Sequence, residues 1–292
     1  MRIDFHTHVF PPPFRQDRSR YFSGEPAFKT LYDSSRARLA GVAELLQHMD
    51  EAGIGKSVIF GFPWQDRDLA KQHNDYVLES VHRHPDRLVG LGCFSPLMRE
   101  AEKETERCLK GGLAGVGELA VYGDGLTAEV SDLLEEVMAI TLDHGAIVLM
   151  HTNEPVGHQY PGKTPMTLGQ IYGFVTRYSS NRIVLAHWGG GLPFYALMKR
   201  EVKEALQNVW FDTAASPYLY DPDIYPVVGN IVGFEKILLG SDYPLLSPSR
   251  YFKEMEKAEL SENEIEQVSG RNASLLLHLE DSLNLEEGEE DD

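Results

Sequence analysis

A chain of 292 residues with 42% hydrophobic content and a net charge of −18 can bury a large core and carries an acidic surface that disfavours nucleic acid and anionic membrane. Its two cysteines, Cys93 and Cys108, exclude a disulfide framework or a zinc ribbon and read as core or helix-face residues. No apolar run approaches the ~20 residues needed to span a bilayer, and the first strand begins at residue 2 with no room before it for a signal peptide, so cytoplasmic residence is expected.

In chain order, the first apolar run covers residues 2–8 and ends in His6-Thr7-His8. Two histidines one residue apart on a strand project from the same face and can grip one cation between them. A long loop, 11–39, leads to a helix at 42–52 and a second run at 56–62. Next come a helix at 68–84, a run at 87–94, a helix at 99–110 and a run at 114–119 that contains Glu118. The helix expected at 128–144 sets Leu133, Leu134, Val137, Met138 and Thr141 on one face, with Glu135 and Glu136 on the other. The fifth run, 146–151, ends in His151; a second long loop, 153–167, and a helix at 168–178 follow. The sixth run, 182–187, ends in His187, and helices at 193–207 and 221–232 flank a seventh run at 208–214. The eighth, 236–242, ends in Asp242; a helix at 251–258, a capping box opening at Ser261 and a last helix at 272–279 complete the body. Eight of the thirteen residues in 280–292 are acidic and none is basic, which predicts a solvated, disordered tail. Without these eight acids the body still carries −10.

Eight strand runs alternating with helices predict an α/β protein, a (β/α)8 TIM barrel over residues 1–279. An open doubly wound sheet would place a glycine-rich phosphate loop after the first strand, where this chain has His-Thr-His followed by Val-Phe-Pro-Pro-Pro. In a barrel every strand directs its C-terminal end at one mouth. His6, His8, Glu118, His151, His187 and Asp242 therefore converge although they are far apart in sequence. Imidazoles with carboxylates suit a divalent metal, with zinc first and manganese, iron or nickel also compatible, as one or two ions.

These elements resemble the amidohydrolase superfamily, in the amidohydrolase-related branch that also contains aminocarboxymuconate-semialdehyde decarboxylase and pyrone-dicarboxylate lactonase. The matching residues are His6-x-His8, His151, His187 in Ala-His-Trp-Gly-Gly-Gly, Asp242 in Gly-Ser-Asp-Tyr-Pro, Asn74 with His84-Pro-Asp-Arg87, and Arg271-Asn-Ala-Ser. The resemblance implies that His6, His8, His151 and Asp242 bind the metal, and that His187 lies beside it as a catalytic or substrate-orienting group. Glu118 is either a further ligand or a contact to ligand or substrate. A homodimer is a further expectation from the resemblance.

A metal-activated water, with Asp242 handling its proton and His187 stabilising developing negative charge, predicts hydrolysis of an ester, lactone or amide in a small substrate. The alternative keeps the metal and removes carbon dioxide from a small carboxylic acid. Hydrolysis is favoured at this stage because no arginine immediately follows a strand end to clamp a carboxylate. A third reading, a barrel that binds without catalysis, requires the loss of Asp242 or His187, and both are present. His158, Lys163, Trp64 and Trp188 are the expected substrate contacts, with Tyr122 and Tyr243 as weaker candidates for the pocket wall.

Overall fold

All eight runs form parallel strands: β1 (Ile3–His8), β2 (Lys56–Phe60), β3 (Leu88–Gly92), β4 (Gly115–Leu119), β5 (Ile147–Met150), β6 (Arg182–Leu185), β7 (Val209–Asp212) and β8 (Ile237–Leu238). They lie side by side in sequence order, as strands joined by one-sided crossover helices must. The computed structural model describes residues 1–279, so the acidic segment 280–292 lies outside the described residues.

β8 holds two residues, and the ring is completed by the stretch after it. Phe5 N–H donates to Leu239 O (2.7 Å), Asp242 N–H to His6 O (3.0 Å) and His8 N–H to Tyr243 O (2.8 Å). Side chains alternate between two cores, as a pleated strand requires. Ile3, Phe5, Val58, Leu149, Val184 and Leu238 fill the barrel interior. Ile59, Val148, Ile183 and Leu239 pack outward against the helices. Among the described residues, no helix is long and apolar enough to cross a membrane.

Three expectations change. The helix predicted at 128–144 is two, Ala128–Leu133 and Glu135–Asp143, parted at Leu134. The helix predicted at 193–207 shrinks to Arg200–Ala205: the chain before it runs in 3-10 turns as far as Leu197, and Lys199 is extended (φ −139°, ψ 133°), so an α-helix starts only at Arg200. The loop 11–39 contains helices Pro12–Gln16 and Pro26–Tyr32, each opening on a proline whose missing N–H and fixed φ suit a first helical position.

Candidate metal centre

The mouth of the barrel is organised by two buried aspartates. Asp4, on β1, accepts N–H groups from His6 (3.3 Å) and Ser241 (2.9 Å) and the Ser241 hydroxyl (2.5 Å). It thereby ties the strand end that carries His6 to the turn that carries Asp242. Burial pushes the Asp4 carboxyl up to about 6 against these hydrogen bonds. Asp212, at the end of β7, receives His6 Nδ1–H on Oδ2 (2.7 Å) and the backbone N–H groups of His187 (2.9 Å) and Ala214 (3.0 Å) on Oδ1. Asp212 was missed in the sequence, although the run Val-Trp-Phe-Asp ends in a polar residue just as the other site strands do.

Three imidazoles are locked in one sense. His6 Nδ1–H is held by Asp212, His8 Nδ1–H by Gly61 O (3.0 Å) and His187 Nδ1–H by Ala214 O (2.9 Å). Each Nε2 is therefore left as the inward-facing nitrogen. His8 Nε2 lies 3.4 Å from Asp242 Oδ1 and 3.8 Å from Glu118 Oε2. His6 Nε2 lies 3.7 Å from Asp242 Oδ1 and 3.9 Å from Glu118 Oε1. His187 Nε2 is 3.4 Å from Glu118 Oε1. Close approach at this end depends on Gly240, since a Cβ there would lie 2.7 Å from His6 Cβ.

These residues fit a divalent cation. Donors about 2.1 Å from one tetrahedral ion are separated by about 3.4 Å, close to the spacings around Asp242 and Glu118. His6 Nε2 is buried with no hydrogen-bond partner, a costly arrangement for a polar atom unless another species takes it up. Two donor groups, His6 with His8 and Glu118, and Glu118 with His151 and His187, share the Glu118 carboxylate. His151 differs from the other imidazoles: Nδ1 meets Glu118 Oε1 at 2.9 Å and Nε2 meets Gly162 O at 3.2 Å, so both nitrogens face protein acceptors.

The electrostatics follow from this crowding. Burial opposes a charged His6, but Asp212, Glu118 and Asp242 together outweigh it and push the imidazole up to about 10. His187 is likewise pushed up to about 9, with burial opposed by Glu118 and Asp242. Burial also works against ionised Glu118, yet His151 and His6 hold its carboxyl well below the usual range. Asp242 is lowered too, burial being overcome by His8, His6 and His187.

The expected substrate contacts fare differently. Trp64 and Trp188 are 0% exposed, and their indole N–H groups go to His73 Nδ1 (2.9 Å) and Ser216 Oγ (3.0 Å), so the expectation that they touch substrate is corrected: both are wall packing. Lys163 is corrected as well. Its Nζ binds Glu154 Oε1 (2.7 Å), Val156 O and His158 O (3.3 Å), which ties the 153–167 loop to itself and leaves no donor for an anion. His158 is exposed on the same loop, against Tyr160, and is not brought to the cluster. Tyr243 is 4% exposed and stacks on His48. The rings near the cluster are Phe60, edge-on to His6 (5.0 Å) and His8 (4.7 Å), and Tyr122, 5.9 Å from the His151 ring.

Comparison with known proteins agrees with this architecture. The amidohydrolase family model matches residues 3–279. A 2-amino-3-carboxymuconate-6-semialdehyde decarboxylase of Dictyostelium discoideum is 25% identical, the match covering 96% of this chain and 92% of the relative. A 6-methylsalicylic acid decarboxylase of Penicillium expansum is 24% identical over 83% of this chain and 85% of its own. The crystal structure of a dihydroxybenzoic acid decarboxylase from Polaromonas sp. JS666, with bound manganese and the inhibitor 2-nitroresorcinol, superposes with a TM-score of 0.69 at 19% identity, covering 96% and 97% of the two chains. At that identity the likeness is one of fold.

The expectation of ester, lactone or amide hydrolysis is corrected by these relatives, since both curated ones are decarboxylases. It rested on the missing strand-end arginine, and a mouth where His6, His8 and His187 face inward can meet an anion with a bound cation instead.

Proposed function

We propose, from the premise that this chain belongs to the amidohydrolase family, that it is a metal-dependent decarboxylase of a small aromatic carboxylic acid. The observation that carries the reading is the set of inward Nε2 atoms and carboxylate oxygens around the unpartnered His6 Nε2, bordered by aromatic rings. The two decarboxylase relatives, each aligned over most of its length, support the reaction class.

The cation would be held by His6 Nε2, His8 Nε2 and Asp242 Oδ1, with Glu118 as a further donor. His151 could join by giving up one of its present partners, Glu118 or Gly162. Mixed imidazole and carboxylate donors accept zinc or manganese, so metal identity is a matter of supply and geometry rather than of donor type. When bound, the ion supplies the positive charge that anchors the substrate carboxylate and steadies negative charge as the reaction proceeds.

His187, fixed through Nδ1 on Ala214 O, turns Nε2 towards the cluster and is the proton donor to the ring carbon that bears the carboxyl group. The carbon–carbon bond to the carboxyl then breaks, its electron pair returns to the ring, and carbon dioxide leaves. One proton is consumed in each turnover. Asp242, held ionised beside His8, helps hold the ion and relays the replacement proton from solvent. The test is carbon dioxide release from 6-methylsalicylate and related hydroxybenzoates. His187→Asn should lower kcat by about 100-fold or more while metal content stays unchanged. Full turnover by that variant overturns the assignment of the donor.

A further inference from the structure

Two tyrosines from different parts of the chain stand at the mouth. Tyr32 ends the short helix Pro26–Tyr32, and Tyr122 follows β4. Phe62 links them: its ring is T-shaped to Tyr32 at 6.1 Å and parallel to Tyr122 at 6.2 Å, with 7° between the planes. On its other side Tyr122 lies 5.9 Å from the His151 ring. Both tyrosines are half-buried, and among the described residues neither hydroxyl is engaged by a hydrogen bond. The neighbouring tyrosines are already engaged, Tyr160 by Glu154 Oε2 (2.8 Å) and Tyr220 by His187 O (3.4 Å). Burial, and then the charges of Glu118 and Asp242, push both phenols above their ordinary range, so they remain protonated donors at neutral pH.

We propose that Tyr32 and Tyr122 are the specificity-determining pair of this site, holding the ring of an aromatic carboxylate and donating hydrogen bonds to an oxygen substituent on that ring. The proposal rests on the decarboxylase reading. The negative carboxylate belongs with the positive charge at the histidine cluster, since Lys163 is consumed within its own loop. The ring must then extend away from that cluster, along the wall where the two phenols stand. Neutral O–H donors suit a hydroxyl or phenolic oxygen, and a site built to hydrogen-bond such a group discriminates against analogues that lack it.

The experiment compares the manganese-loaded full chain with Tyr32→Phe and Tyr122→Phe, which keep the rings and remove one oxygen each. Binding of 2,6-dihydroxybenzoate and of benzoate is measured by calorimetry, with metal content and thermal midpoint recorded for every variant. Wild type should bind the dihydroxy acid at least tenfold more tightly than benzoate. Each variant should lose about tenfold on the dihydroxy acid, leave benzoate within about threefold, and keep its metal. A merely structural role would move both ligands together. If the preference of wild type persists in both variants, or if wild type shows no preference, the inference falls and the decarboxylase reading stands. If manganese-loaded wild type binds neither acid, both fall.

Discussion

Replacing Asp212 with asparagine should weaken metal binding without emptying the space the side chain fills. Oδ1 of Asp212 receives two backbone N–H groups, from His187 and Ala214, so the carbonyl oxygen of an asparagine would remain on that side. The new NH2 group then replaces Oδ2, which now receives His6 Nδ1–H at 2.7 Å. Two donors would face each other, and the ring relieves the conflict by moving its proton from Nδ1 to Nε2. That is the nitrogen assigned to the cation, and a protonated Nε2 has no lone pair to offer. Loss of such an orienting partner typically costs 10–100-fold in affinity, which is about 1.4–2.7 kcal/mol. The assay is competition between chelator-treated protein and a fluorescent metal indicator, run with zinc and with manganese. An affinity within twofold of wild type for both ions would refute the argument, because it would show that Asp212 does not govern the His6 tautomer.

Two further predictions concern pH and packing. His73 accepts Trp64 Nε1–H, donates Nε2–H to Val9 O (2.6 Å), and is pushed by burial down to about 3 from 6.5. Between those values the unfolded chain binds a proton that the fold refuses, so stability rises with pH there and falls on acidification by about 1.4 kcal/mol per pH unit from this group. Denaturant unfolding of wild type and His73→Gln between pH 6 and pH 5 checks it: the variant should lose that part of the slope, and equal slopes would contradict the assignment. Gly240→Ala would place a Cβ 2.7 Å from His6 Cβ and 3.3 Å from Asp212, and should cost about 1–3 kcal/mol and lower metal content, whereas Gly123→Ala, with nothing within 4 Å, should do neither. Equal metal content and thermal midpoints in the two variants would show that the close approach at Gly240 is dispensable.

The barrel was legible because strands buried on both faces read as unbroken runs of Ile, Val and Leu, and because a parallel sheet forces each run's polar end to the same side. That rule brought His6, His8, Glu118, His151, His187 and Asp242 together from five strand ends. It failed for Asp212, where the same signal was present but an aspartate followed by threonine and alanine carries no recognisable ligand motif. Trp64 and Trp188 were misjudged because an aromatic residue after a strand reads equally well as wall or as contact, and what decides is a tertiary partner, His73 or Ser216. Lys163 is paired with Glu154 inside one loop, a choice that depends on how the loop folds back. Tyr32 lies in a stretch read as a loop, whose helices, opening at Pro12 and Pro26, are too short to show a helical period.

The most direct test of a metal-dependent decarboxylase is release of labelled carbon dioxide from carboxyl-labelled aromatic acids, 6-methylsalicylate among them. It should be run with chelator-treated protein before and after restoring manganese or zinc. Release that is lost on chelation, returns with the ion and is nearly abolished in Asp242→Asn is the predicted result. No release from any of the acids by metal-loaded protein, or release indifferent to the ion, would contradict it.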